Sequence, residues 1–342
     1  MINYILLIPI LASFFVTLFL LPFWIRKARQ IGLMWDDINK LKSEKVAGSG
    51  GVIVLGGFVI GVLIFIAYRV FYLESYNSYL VEIFALLSSI LMLGGIGFMD
   101  DLFGWRKGGL SRRTRLILVL FSAVPLIVIN AGKSLVNLPI FGNVDLGIVY
   151  PLFLIPLGIL GATTTFNFLA GYNGLESGLG VILLSSLSVV ALFTGNSWIS
   201  VIGLCMVFSL LGFLIFNFYP AKVFPGDVLT YPIGGLIAIM AILGNFEKIA
   251  IFFFIPCIIE VGLKLRGNLI KQSFGKPEKD GSLGMRYGEI YSLNHLAIYL
   301  MKTFGIKPTE KKVVLAIWAF QLLFVLIGFI IFREGIFNAI NK

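Results

Sequence analysis

The chain has 342 residues, of which 58% are hydrophobic and only 13% charged. Soluble domains are nearer half apolar and a quarter charged, so the composition excludes an ordinary water-soluble enzyme and predicts an all-α, polytopic membrane protein. The net charge of +10 would suit a nucleic-acid partner, but its distribution gives it a different meaning, and no nucleic acid is expected.

A spanning helix needs about 20 mainly apolar residues. On that template the chain offers ten segments, near 2–24, 51–71, 81–99, 114–130, 148–168, 178–194, 198–217, 228–245, 248–265 and 313–333. The first run is followed at once by Arg26, Lys27 and Arg29. That is the reverse of a signal peptide's charge order, so the run is expected to stay as a transmembrane helix. No repeat interrupts the series, and residues 1–342 are expected to form one membrane domain. Cys205 and Cys257 lie far apart in apolar runs and offer neither a metal spacing nor a disulfide framework.

Charge sets the expected orientation. The loops 26–50, 100–115, 166–177, 218–227 and 264–312, placed on one side, hold 22 of the 27 Lys and Arg. By the positive-inside rule these loops are cytoplasmic and both termini extracytoplasmic.

The same face collects the unusual polar residues. Asp100 and Asp101 close the third segment in GGIGFMDDLFGW; paired aspartates can bind a divalent cation or accept a proton, although solvated charges at a helix end are the commoner case. The stretch FNFLAGYNGLESG, Phe166 to Gly178, breaks the chain between apolar segments. Gly171, Asn173-Gly174 and Gly178 are explained by chain reversal. Asn167 is not, because an amide beside hydrocarbon needs partners and an amide oxygen suits Mg²⁺. In NFYPAKVFPGDVLTYPIGG, Asp227 stands where the loop enters the eighth segment and could cap that helix. Phe224 offers either a ring for stacking or an interfacial anchor. Glu260 lies four residues before Lys264, the favourable helical pairing, and His295, the single histidine, falls in a surface helix over Glu289–Phe304. With one histidine and no clustered cysteines, zinc is not expected. Asp100, Asp101, Asn167, Asn173 and Asp227 therefore share one face at the ends of three helices, a pattern that suits Mg²⁺ and a phosphorylated substrate.

The ordered set GFMDDLFGW, NFLAGYNGLESG and NFYPAKVFPGD resembles the polyprenyl-phosphate N-acetylhexosamine-1-phosphate transferases, most closely the eukaryotic and archaeal branch that makes dolichyl-diphospho-GlcNAc. The resemblance runs from Asp37 through the ninth segment. It implies that Asn167 and Asp227 hold Mg²⁺, with Mn²⁺ as the substitute. It implies that Asn173 bonds uracil, that Phe224 and Ile38 wall the uridine pocket, and that Asp100 and Asp101 lie near the lipid phosphate. Arg115 stands where the family usually carries a phosphate-binding lysine. Lys276 and Lys279, in KPEK, fall roughly where the eukaryotic form has an Arg-His-Arg cluster, and with Glu176 they are weaker candidates for phosphate or sugar contacts. The triple-histidine loop of the muramyl-pentapeptide translocases is absent.

The resemblance implies transfer of GlcNAc-1-phosphate from UDP-GlcNAc to a polyprenyl or dolichyl phosphate, releasing UMP, in the membrane of a prokaryote of archaeal type. Another UDP-sugar or undecaprenyl phosphate is the near alternative, and a homodimer is left open. A transporter or flippase is the distant alternative, because transporters gather polar residues near the bilayer midplane and here the midplane is nearly free of charge.

Overall fold

The computed structural model describes residues 4–42, 44–74, 79–138 and 142–337. It is predominantly helical, and among the described residues eight helices are long and apolar enough to cross a membrane. In chain order the helices are α1 (Leu7–Ile31), α2 (Gly51–Ala67), α3 (Leu80–Lys107), then the shorter α4 (Arg112–Phe121) and α5 (Val124–Val128), followed by α6 (Ile155–Phe168), α7 (Leu175–Phe193), α8 (Ser197–Asn217) and α9 (Asp227–Gly244). The chain continues through α10 (Glu247–Phe253), α11 (Ile255–Arg266), α12 (Leu293–Thr303), α13 (Glu310–Ile331) and α14 (Arg333–Phe337).

Two of the ten expected segments are interrupted. Segment 114–130 is the pair α4 and α5, and segment 248–265 is the pair α10 and α11. Proline explains both breaks: Pro125 and Pro256 stand in the first turns of α5 and α11, where a missing N–H costs nothing but a continuing helix would lose a bond. Among the described residues three short antiparallel hairpins also escape an all-helix expectation: β1–β2 (Met34–Asp36 with Lys45–Ala47), β3–β4 (Leu135–Leu138 with Gly142–Asp145) and β5–β6 (Lys276–Pro277 with Leu283–Gly284).

The helix α9 is the axis of the molecule. Of its span, 89% is buried, against 28% for α1 and α13, and α3, α6, α7, α2 and α10 pack around it. With no hydrophobic drive between helices in lipid, close approach depends on small residues. A Cβ at Gly234 would lie 2.6 Å from the Ala162 carbonyl of α6, and one at Gly97 of α3 would overlap the Asp227 backbone. The second contact sets the first turn of α9 directly against α3.

The aspartate pair does not sit at a helix end. Gly104 stays helical and positive φ first appears at Gly108 and Gly109, so α3 runs past Asp100 and Asp101 to Lys107. Both carboxylates are buried.

Candidate active site

The first turn of α9, the last turns of α3, the end of α6 and the loops around them enclose a cavity of about 540 Å³, within the range of small-molecule sites. Eight of the expected residues line it: Asp100, Asp101, Arg115, Asn167, Glu176, Phe224, Asp227 and Ile38. Asn173, Lys276 and Lys279 do not.

Hydrogen bonds separate the three aspartates by task. Asp101 accepts from the Asp227 backbone N–H at 2.8 Å, the Val228 N–H at 3.4 Å and the Ser49 hydroxyl at 3.0 Å. The residue before α9 is Gly226, which has no side chain to cap the helix. Asp101 of α3 therefore caps α9 from outside, a task the sequence gives to Asp227, and the cap's carboxylate also favours the positive end of the helix dipole. Gly226 is required here: its φ is 74°, and a Cβ would overlap the Asp101 carboxylate. With both oxygens committed, Asp101 positions α9 and has little left for substrate.

Asp100 accepts from the Leu110 N–H at 2.7 Å, from Arg115 at 2.7 Å and from the Tyr231 hydroxyl at 3.3 Å. Arg115 keeps a partly exposed side chain, and its Nε is buried without a partner. The guanidinium is thus held by Asp100 while part of its donor fork stays available in the cavity.

Among the described residues the Asp227 carboxyl has no N–H donor, and its side-chain hydrogen-bond partner is the Asp100 carboxyl. Asn167 accepts from the Thr230 hydroxyl at 3.0 Å, one turn along α9, which turns its oxygen toward α9 and leaves one lone pair. Three buried or half-buried carboxyl groups share the cavity with one guanidinium, so the cluster holds more acid than its single base can neutralise. Its donors are all oxygen, the set hard cations prefer. Among the described residues no three acids, histidines or cysteines converge as a ready-made metal cage. That fits a cation held by Asp227 and Asn167 with substrate phosphate and water completing its shell, the usual manner for Mg²⁺, better than a fully protein-bound ion.

The opposite wall is built from loops. Gly171 and Gly174 adopt positive φ, as the reversal requires. Gly178 instead lies inside α7, where its missing side chain seats the Trp318 ring. Asn173 is buried behind the wall: its amide donates to Asp37 at 3.1 Å, and its backbone N–H donates to Glu310 at 2.9 Å. Asn39 joins the same lattice through the Gly171 carbonyl at 2.9 Å and Glu310 at 3.3 Å. Burial pulls the Lys40 ammonium down, but bonds to Glu44 and Asp37 outweigh it and leave its pKa above the usual value. Glu176 bends back to accept the Gly171 N–H at 2.8 Å, and its second oxygen is buried without a partner. Lys276 and Lys279 lie on the β5–β6 hairpin away from the cavity.

Sequence reasoning missed Trp35, Tyr172 and Phe274 in the wall, and Asn39 and Glu310 behind it. Only Trp35, next to the paired Asp36 and Asp37, carried a local signal. An apolar groove of about 520 Å³ runs between α6, α9, α10 and α11, past Leu157, Ala238, Phe254 and Ile258. It ends at Thr165, two residues before Asn167.

A helical membrane protein with an acid-rich polar cavity beside an apolar groove belongs to a definable class: this chain is a member of glycosyl transferase family 4, whose profile matches residues 83–245. Within that family, a Saccharolobus solfataricus protein provisionally named UDP-N-acetylglucosamine–dolichyl-phosphate N-acetylglucosaminephosphotransferase is 36% identical over 327 residues, covering 95% of this chain and 96% of its own. A Dictyostelium discoideum protein bearing that name without qualification is 32% identical over 268 residues, 67% of this chain and 64% of its own. A Bacillus subtilis protein provisionally named undecaprenyl-phosphate N-acetylglucosaminyl 1-phosphate transferase is 27% identical, covering 98% of this chain and 93% of its own.

Proposed function

We propose that the protein transfers GlcNAc-1-phosphate from UDP-GlcNAc to a dolichyl-type polyprenyl phosphate, releasing UMP, with its cavity on the cytoplasmic side. The observation that carries this is the meeting of a carboxylate–amide pair, Asp227 and Asn167, with an Asp100-held guanidinium in one cavity of a bundle of membrane-spanning helices. A soluble phosphorylated donor fits the polar cavity, and a long apolar acceptor fits the groove. The names of the relatives narrow the donor to UDP-GlcNAc and the acceptor to a dolichyl or undecaprenyl phosphate.

In this account an oxygen of the acceptor phosphate attacks the sugar-bearing β-phosphorus, and the bond from that phosphorus to UMP breaks. Arg115 holds the acceptor phosphate, and Asp100 keeps Arg115 in place. A phosphate's second pKa is near 6, so the acceptor needs little help to be deprotonated. Asp227 and Asn167 would hold Mg²⁺, or Mn²⁺ in its stead, and the cation would supply charge neutralisation for the diphosphate. Phe224 and Ile38 wall the nucleoside. Asn173 acts through Asp37, which lines the cavity where Asn173 itself does not. Positioning and electrostatics supply most of the acceleration.

Replacing Asp227 with alanine tests the cation site. Turnover should fall by about a hundredfold to a thousandfold, the scale for loss of a central electrostatic group, and Mg²⁺-dependent UDP binding should vanish in calorimetry. Retained Mg²⁺-dependent binding would remove Asp227 from the metal site.

A further inference from the structure

The long loop between α11 and α12 contributes a single side chain to the cavity wall, Phe274. Its ring rests on the backbone of Gly171, where a Cβ would lie 2.6 Å from Cε1. The peptide that follows this ring is held on both sides. The Phe274 carbonyl is bonded to Nε2 of His295 at 3.2 Å, and the Gly275 N–H donates to the Tyr172 hydroxyl at 2.8 Å. These are the two polar groups of one peptide unit, so that unit cannot rotate without losing both bonds.

Each holder is itself fixed. The other ring nitrogen of His295 accepts from the Tyr291 N–H at 3.4 Å, which makes Nε2 the donor toward Phe274. The helix that carries His295 starts on Ser292 and Leu293, whose hydroxyl and N–H donate to the buried carboxylate of Glu260 at 3.1 and 2.6 Å. Glu260 belongs to α11, so a helix of the bundle anchors the whole latch. Its pairing with Lys264, at 3.9 Å, is the lesser part of its work. Tyr172 lies in the reversal between Gly171 and Asn173, inside the opposite wall.

We propose that Tyr172 and His295 are positioning residues that clamp the Phe274–Gly275 peptide and so seat Phe274 as the loop-borne wall of the donor pocket. Neither residue touches the reacting atoms by this account; both act through Phe274. The inference rests on the UDP-sugar reading of the cavity for its kinetic consequence and on geometry alone for its structural one.

The experiment is a steady-state series on full-length protein with UDP-GlcNAc and dolichyl phosphate. Its variants are Phe274→Ala, His295→Leu, His295→Gln and the double variant Phe274→Ala/His295→Leu. Phe274→Ala should raise KM for UDP-GlcNAc roughly fivefold to tenfold, the scale of one aromatic contact, with kcat changed less. His295→Leu should raise KM similarly, the double variant should be no worse than Phe274→Ala, and Gln, whose amide can still donate to the Phe274 carbonyl, should restore most of the loss. Amide hydrogen exchange across 272–284, measured without substrate, should quicken in His295→Leu and stay slow in His295→Gln. Unchanged KM with unchanged exchange in His295→Leu, or fully additive effects in the double variant, would overturn the clamp. If the unaltered protein turns over no UDP-GlcNAc, the functional reading fails and the exchange comparison alone decides the clamp: slow exchange in His295→Leu refutes it.

Discussion

At the scale of single residues, adjacent aspartates with the same chemistry do different work because of what donates to them. Asp101 faces the start of a helix whose own N-cap is a glycine, so backbone amides claim it. Asp100 faces a guanidinium, and Asp227 faces mainly another acid. Asp101→Ala should therefore destabilise the protein by about 1–2 kcal/mol, the usual cost of a lost cap, visible as a lower Tm in detergent. It should also cost turnover by moving Asp227. Unchanged Tm would contradict the capping assignment. Gly226→Ala should cost turnover by at least roughly tenfold for the same reason, because alanine is strained at a φ of 74° and its methyl overlaps Asp101. Activity at the unaltered level would show that the junction tolerates a side chain. The residues of the site were legible in sequence where a polar group stood against its surroundings, as Asn167 does in TTTFNFLAG. Their tasks were less legible: Asn173 faces inward to Asp37, and nothing in NGLE tells the direction of that amide.

At the scale of elements, the loop between α11 and α12 depends on a neutral histidine. Burial holds the His295 pKa below its usual value; the Phe274 carbonyl opposes this, and Lys264 and Arg286 reinforce it. An opened loop binds a proton more readily than the closed one. Closure is therefore fully favoured above pH ~6.5, the ordinary histidine value, and weakens as pH falls from there toward the depressed value. Amide exchange over 272–284, corrected for its intrinsic pH dependence, should lose protection over the acidic window that opens below pH ~6.5. Flat protection across that window would contradict a buried neutral His295. Helix existence was largely readable from apolar runs, and α12 emerged close to the expected 289–304 surface helix. The breaks at Pro125 and Pro256 carried a visible signal that a hydropathy window averages away. The end of α3 was misplaced because charge was taken as a boundary, whereas helix sense ends only at Gly108. The part of Phe274 in the site had no local signal at all, since the contact with Gly171 joins residues about a hundred positions apart.

At the scale of the whole molecule, a central buried helix presents its N-terminus to the cavity, and the basic loops share that end. The proposed cytoplasmic orientation of that end rests on the positive-inside rule and has a direct test. Cys205 and Cys257 are both buried, so single cysteines introduced at exposed positions report sidedness. Lys279→Cys should react with an impermeant maleimide in inside-out vesicles and not in right-side-out ones, and Lys133→Cys should do the opposite. The reverse labelling pattern would place the cavity outside.

The central claim is the reaction itself. Purified protein with Mg²⁺, dolichyl phosphate and UDP-GlcNAc should release UMP and form a lipid-linked diphospho-GlcNAc in equal amounts. Both products should disappear when the acceptor lipid is omitted. UMP formed equally well without the lipid, or turnover confined to a different sugar nucleotide, would contradict the account.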